Sequence, residues 1–167
     1  MVMETDILLA VALSIYLAIA GIIDLKTHKV PNWLTLPALA GLALWRIARR
    51  EPVFLVYWAV IYLLWEARIW GAGDAKLLMV LFGLWPETGF LFVEALTILV
   101  LGIPLLIAKY RGRSPMELAQ AVHVRLLTGQ ILPTEEELAK APPASCLLAA
   151  GGVVYAWLAC FGLKIAG

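Results

Sequence analysis

The chain has 167 residues, of which 63% are hydrophobic and 15% charged, with a formal net charge of +1. Soluble domains average about 25% charged and about 45–50% apolar residues, so a soluble fold would have to make its helices apolar all round. No basic face stands out, which argues against nucleic acid as the main partner, and the length suits one compact helical bundle, a single domain over residues 1–167.

A membrane-spanning helix needs about 20 largely apolar residues. The leader Met1–Asp6 carries Glu4 and Asp6 in place of a basic n-region, and no small-residue cleavage site follows. The first apolar segment, Ile7 to Ile23, is therefore expected to stay as an anchor. It ends at Asp24. A second span is predicted over Trp33–Ala48, with Pro37 near its start, where a helix tolerates it. Val53–Trp70 gives a third. The fourth, Ala75–Trp85, is short and closes at Pro86. Gly89–Ala108 gives a fifth, with Gly102 and Pro104 expected to bend it. Ala144–Leu163 gives the sixth. The expected fold is thus all-α, a polytopic membrane bundle of about six spans.

Between spans five and six lies a polar insert, residues 109–143. Ser114-Pro115-Met116-Glu117 reads as a capping box with proline at the first helical position. Its helix should end near Thr128-Gly129. Met116, Leu118, Ala119, Val122, Leu126 and Leu127 give it an apolar side, to lie on the inner membrane surface or against the bundle. His123 sits on it alone, as a surface or packing residue. Thr134–Glu137 repeats the capping-box spacing and should open a second short helix before Pro142-Pro143.

Lysine and arginine placement orients the bundle. With the N-terminus outside, nine of the 13 basic residues fall on inner segments and four, Arg46, Arg49, Arg50 and Lys164, on outer ones. The Arg46–Arg50 cluster is a local exception. Cys146 and Cys160 both lie in the sixth span, about 21 Å apart along a helix, too far to pair. They read as packing residues. No metal site and no organic cofactor is indicated.

Acids at membrane depth are costly, by about 2.5–3.5 kcal/mol on insertion scales. Asp24, Glu66, Asp74 and Glu94 fall in or beside spans. One span ends at Asp24 and three are crossed before Asp74, so parity places both carboxyls on the same side. At one depth they could share a proton and a water, one as general base and the other polarising a peptide carbonyl. Their titrations would then belong to the pair. Ser14, Ser114 and Ser145 have no paired base in the sequence. A proton or ion relay is the competing use of the same acids. Two glycines precede the second acid, in Gly71-Ala72-Gly73-Asp74-Ala75-Lys76. They permit a tight turn and close approach of another chain.

The run from Asp24 through Lys26, His28, Lys29, Val30, Pro31 and Asn32 to Pro37 resembles the first aspartate motif of type IV prepilin peptidases. There an aspartate ends a span, a short basic loop follows, and an apolar-Pro-Asn step opens the next span. Gly71-Ala72-Gly73-Asp74-Ala75-Lys76-Leu77 resembles the family's GxGD motif. Both occur in the expected order, within a matching six-span layout. The resemblance implies a membrane aspartic endopeptidase that removes a short basic leader from pilin-like or preflagellin-like precursors at the cytoplasmic membrane face. It implies catalytic roles for Asp24 and Asp74, and a turn shaped by Gly71 and Gly73 that presents Asp74. The chain lacks the cysteine-bearing N-terminal domain of the large bacterial members, so peptidase activity without N-methyltransferase activity is expected. It looks like the short members, including archaeal preflagellin peptidases and tight-adherence peptidases. Presenilin and signal peptide peptidase match less well: Ile23-Asp24 stands where they have Tyr-Asp, and Pro37-Ala38-Leu39 falls in the second span.

Several residues have a functional and a plainer reading. Lys76 and Lys26 could support the acids or contact substrate; as inner-leaflet lysines they also suit snorkelling to phosphates or loop anchoring. Asn32 is expected to cap the second span, and Glu94 to make a buried structural hydrogen bond. Trp33, Trp70 and Trp85 fall at span ends, as in an interfacial belt. Gly152, Ala156 and Cys160 form a small-residue face for helix packing. Two further readings stay open beside the peptidase: an ion-coupled carrier using Asp24 and Asp74, and a noncatalytic membrane assembly subunit.

Overall fold

A computed structural model describes residues 2–27, 29–67, 69–110 and 144–163, together with six positions of the insert. The described residues form six principal helices and no strand. These are α1 Val2–Thr27, α2 Asn32–Ala48, α3 Phe54–Glu66, α4 Ala72–Leu84, α5 Thr88–Tyr110 and α6 Ala144–Cys160. Each coincides with one predicted apolar segment. α1 runs through Asp24 for one more turn, because nothing in Leu25-Lys26-Thr27 breaks a helix before Pro31. α5 is continuous through Pro104.

Two segments, Asp6–Thr27 and Thr88–Leu105, are long and apolar enough to cross a membrane, while α3 and α6 are apolar but shorter. At 13 residues each, α3 and α4 extend about 20 Å, less than the ~30 Å of a hydrocarbon core.

α4 is the centre of the molecule. Ala75, Leu77, Leu78, Val80, Leu81 and Phe82 are all buried, which needs neighbours on several sides, and α2, α3 and α6 supply them. α6 also packs on α1 and α5. Where α6 crosses α1 and α4, a Cβ on Gly152 would come 2.6 Å from Leu81 Cδ2 and 2.9 Å from Leu17 Cδ1. The small-residue face expected on the sixth segment is therefore a helix-crossing point. Outward-facing Leu8, Leu44, Leu63 and Phe92 are exposed by more than half, the inverse of a soluble surface of this size.

Polar groups inside this apolar bundle find local partners. Ser14 and Thr97 donate to the carbonyls of Ala10 and Val93 one turn back. Trp58 Nε1 donates to Met79 O at 2.6 Å, and Tyr155 Oη to Glu87 Oε1 at 2.6 Å. Trp33 is exposed as a belt residue would be, whereas Trp85 packs against Phe90 and Tyr155. Arg46 explains the basic cluster between α2 and α3. Its Nε donates to Gly83 O at 2.9 Å, a second guanidinium nitrogen donates to Leu84 O, and a third pairs with Glu51. The last carbonyls of a helix have no partner inside it; here a neighbouring helix provides one.

In the insert, Met116, Glu117, Gln120, His123, Val124 and Leu127 are helical, in line with the first predicted helix. Met116, Val124 and Leu127 are exposed, as is His123. The second helix expected from Thr134 lies outside the described residues.

Candidate active site

Asp24 lies in the last turn of α1 and Asp74 in the first turn of α4, so helix ends of opposite sense deliver both carboxyls to one end of the bundle. Asp24 is buried, at 5% exposure. Each lies within electrostatic range of the other, and both lie within range of the Cys146 thiol at the start of α6.

The sequence around Asp74 sets its geometry. Gly71 is the N-cap of α4, extended at φ −67° and ψ 153°, with no side-chain cap bond. Asp74, three residues on, reaches back and accepts a hydrogen bond from the Gly71 backbone N–H, as the acidic member of a capping box does. Ser145, the second residue of α6 and fully buried, donates its hydroxyl to Asp74 Oδ1 at 2.5 Å. Its backbone N–H adds a further bond to the same carboxylate. Helix N-termini carry unsatisfied N–H groups and partial positive charge, and two of them converge on this one acid.

Neither Gly71 nor Gly73 adopts a positive φ, so the glycine requirement is one of space. A Cβ on Gly73 would stand 3.2 Å from both the Cγ2 and the backbone N of Val30. Val30 is buried, and through it the loop after Asp24 rests on the turn before Asp74. Lys76 ties the same segments a second time: its Nζ donates to Asn32 Oδ1 at 2.6 Å. That contact corrects the expected cap. Pro31 is the N-cap of α2 and no side chain caps it; the Asn32 amide faces Lys76 instead. Lys26 is exposed in the last turn of α1, and His28 lies outside the described residues.

Two expectations for polar residues change. Ser145 has no base partner recognisable in the sequence, yet it is hydrogen-bonded to Asp74. A signal existed in position: if the predicted segments are counted as crossings, the sixth would begin on the side of both aspartates, and Ser145 is among its first residues. Glu94, expected to make a buried hydrogen bond, is 3% exposed with neither carboxyl oxygen hydrogen-bonded among the described residues. It lies against Gly151 of α6. Among the described residues, no group of three His, Cys, Asp or Glu side chains is placed to hold a metal ion.

Two acids within electrostatic range of each other, one of them held by hydrogen-bond donors, are consistent with the chemistry of an aspartic hydrolase. The model of the type IV leader peptidase family matches residues 11–107, and the chain belongs to that family. Membership makes it an aspartic peptidase of the leader-peptidase kind. The match contains both aspartate segments and stops before α6, so Ser145 lies beyond it. No curated protein and no solved structure matches the chain significantly.

Proposed function

We propose that this protein is a six-span membrane aspartic endopeptidase, folded as a single domain, that removes the short basic leader from type IV prepilin-like or preflagellin-like precursors. Asp24 and Asp74 are its catalytic pair. What supports the reading most is their shared location: acids from two separate family-like segments lie within electrostatic range of one another at one end of the bundle, and Asp74 accepts a hydrogen bond from Ser145. The short α4 suits a spanning bundle because its flanks are covered by protein.

In the proposed reaction one carboxylate takes a proton from water as its oxygen attacks the scissile carbonyl carbon. The other carboxyl, protonated, gives its proton to the carbonyl oxygen. As the tetrahedral diol collapses, the carboxylate that gave its proton to the carbonyl oxygen takes a hydroxyl proton back, the C–N bond breaks, and the departing amine takes the proton held by the other carboxyl. Gly71 and Gly73 shape the approach to Asp74, and Lys76 braces the two segments through Asn32. Neither an organic cofactor nor a metal has a part in these steps.

The site is assigned to the cytoplasmic face of the cell membrane with the N-terminus outside, from the nine-to-four division of basic residues. The exception at Arg46 has a structural reason, since Arg46 is engaged on the end of α4.

The test is cleavage of a prepilin-like precursor in membranes by wild type, Asp24→Asn and Asp74→Asn. Each variant should lose at least about 10²–10⁴-fold in rate. Normal cleavage by either well-folded variant would overturn the pair. A carrier would instead show acid-dependent proton flux in liposomes without precursor, and a noncatalytic subunit would show neither.

A further inference from the structure

α1 and α6 leave an apolar trough between them, about 450 Å³ in volume and open to the side, with Ala18, Gly21 and Leu25 on one wall and Cys146, Ala150 and Val154 on the other. We infer that this trough seats the apolar helix of the precursor, with that helix's N-terminal end beside Asp24 and Asp74. The inference rests on the leader-peptidase reading and adds to it where the substrate lies.

The trough follows helix periodicity. Its α1 residues, from Leu17 to Leu25, and its α6 residues, from Cys146 to Val154, recur every three or four positions, so each helix offers one face. Eight residues of α1 make it about 12 Å long. Its floor is small. A Cβ on Gly21 would already touch Ala149 Cβ at 3.7 Å and Cys146 Sγ at 3.8 Å, and the Cys146 thiol donates to Gly21 O at 3.4 Å. Small residues of this kind let a third helix approach closely in a membrane, where packing rather than water expulsion drives association. Elsewhere the outer surface of α3 carries the exposed, bulky side chains of Leu55, Val56 and Leu63.

One end of the trough is at the site. Leu25 directly follows Asp24, and Cys146 directly follows Ser145, the partner of Asp74. The Cys146 thiol is within electrostatic reach of both acids. The far end, at Leu17 and Val154, is two turns away. A helix laid along this line, parallel to α6, begins at the carboxyls, and the extended residues preceding it, at about 3.3 Å each, lie across Asp24 and Asp74. A leader peptidase needs that order: leader, scissile bond, then apolar helix. A lipid chain matches the apolar walls but gives the trough's junction with the carboxyls no purpose.

The test uses the full-length protein in membranes with full-length precursor. Ala18→Trp and Ala150→Phe fill the trough from exposed or half-buried positions, and each should raise KM about tenfold or more with kcat nearly unchanged. Leu63→Trp on α3 should behave as wild type. Independently of those variants, a benzophenone amino acid at position 18 or 154 in the Asp74→Asn background should crosslink to the precursor's apolar helix, and one at position 63 should not. Unchanged KM in both filled variants, with crosslinks absent or equal at all three positions, overturns the trough while leaving the peptidase reading intact. If wild type cleaves no precursor, the peptidase reading fails, and the trough assignment fails with it.

Discussion

Ser145 and Asp74 are 71 residues apart in the chain and 2.5 Å apart in space, and their hydrogen bond is where α6 meets α4 at the candidate site. It joins a residue inside the family-matched segment to one outside it. The three donors on Asp74 come from two helix N-termini, so the position of the carboxylate depends on how α4 and α6 are docked. Gly152, wedged against Leu81 and Leu17, fixes that docking two turns further along α6.

If Ser145 positions Asp74 through this bond, Ser145→Ala should reduce kcat with little change in KM. A hydrogen bond to a charged group contributes about 1.5–3 kcal/mol, which sets the expected loss at about 10- to 100-fold. Ser145→Thr keeps the hydroxyl and should recover part of the rate. A structural role alone would lower the amount of folded protein and leave kcat per folded molecule, measured by active-site titration, at the wild-type value.

Gly73→Ala tests the contact between the two aspartate segments. Helix propensity favours alanine by up to about 1 kcal/mol, but the added methyl meets Val30 at 3.2 Å on side chain and backbone alike. The Val30 side chain can yield; its backbone nitrogen, in the short loop before Pro31, yields less. Overpacking costs about 1–3 kcal/mol, so a modest loss of thermal stability and a larger loss of cleavage are expected. Val30→Ala in the same chain should restore part of both. A Gly73→Ala protein with full activity would show that the approach of the segments has slack.

How far the site was legible in the sequence follows from what each residue depends on. The six helices follow from apolar runs broken by Pro31, Pro52, Pro86 and glycine-rich turns, while several ends moved by about a turn: the first helix runs on past Asp24, the third stops at Glu66 short of Trp70, and the fourth begins at Ala72. The shared side of Asp24 and Asp74 follows from counting crossings. Side-chain partners were harder to read because they depend on which helices are neighbours. Asn32 looked like a cap from its place at the start of α2, yet Lys76 of α4 holds its amide. Arg46 looked like a misplaced topological charge until α4 was found to end beneath it. Ser145 belongs with them, since its role exists only once α6 lies against α4.

Arg46→Met should destabilise the protein without a specific effect on catalysis. It removes the donors to Gly83 O and Leu84 O and the pair with Glu51, leaving C-terminal carbonyls of α4 without those partners. The two backbone bonds are charge-assisted, and a loss of about 2–3 kcal/mol is expected. Arg46→Lys should recover little, because an ammonium cannot reach several acceptors with a planar fork. Thermal unfolding of both variants in detergent measures this; equal midpoints for Lys and wild type would show that charge alone suffices.

Glu94 tests whether a buried acid outside the proposed pair takes part in the reaction. Its carboxyl is buried against Gly151 with no hydrogen bond among the described residues, and a buried polar group left unsatisfied costs about 1–3 kcal/mol. Glu94→Met, unbranched and of similar size, removes that cost and should raise the unfolding midpoint while precursor cleavage continues at the wild-type rate. Gly151→Ala tests the same contact from the other side, since its methyl would collide with the Glu94 carboxyl. It should destabilise the wild-type chain and be tolerated better beside Glu94→Ala. Lower stability in Glu94→Met, or cleavage lost along with the carboxyl, would mean that Glu94 has a working partner and a role in the site.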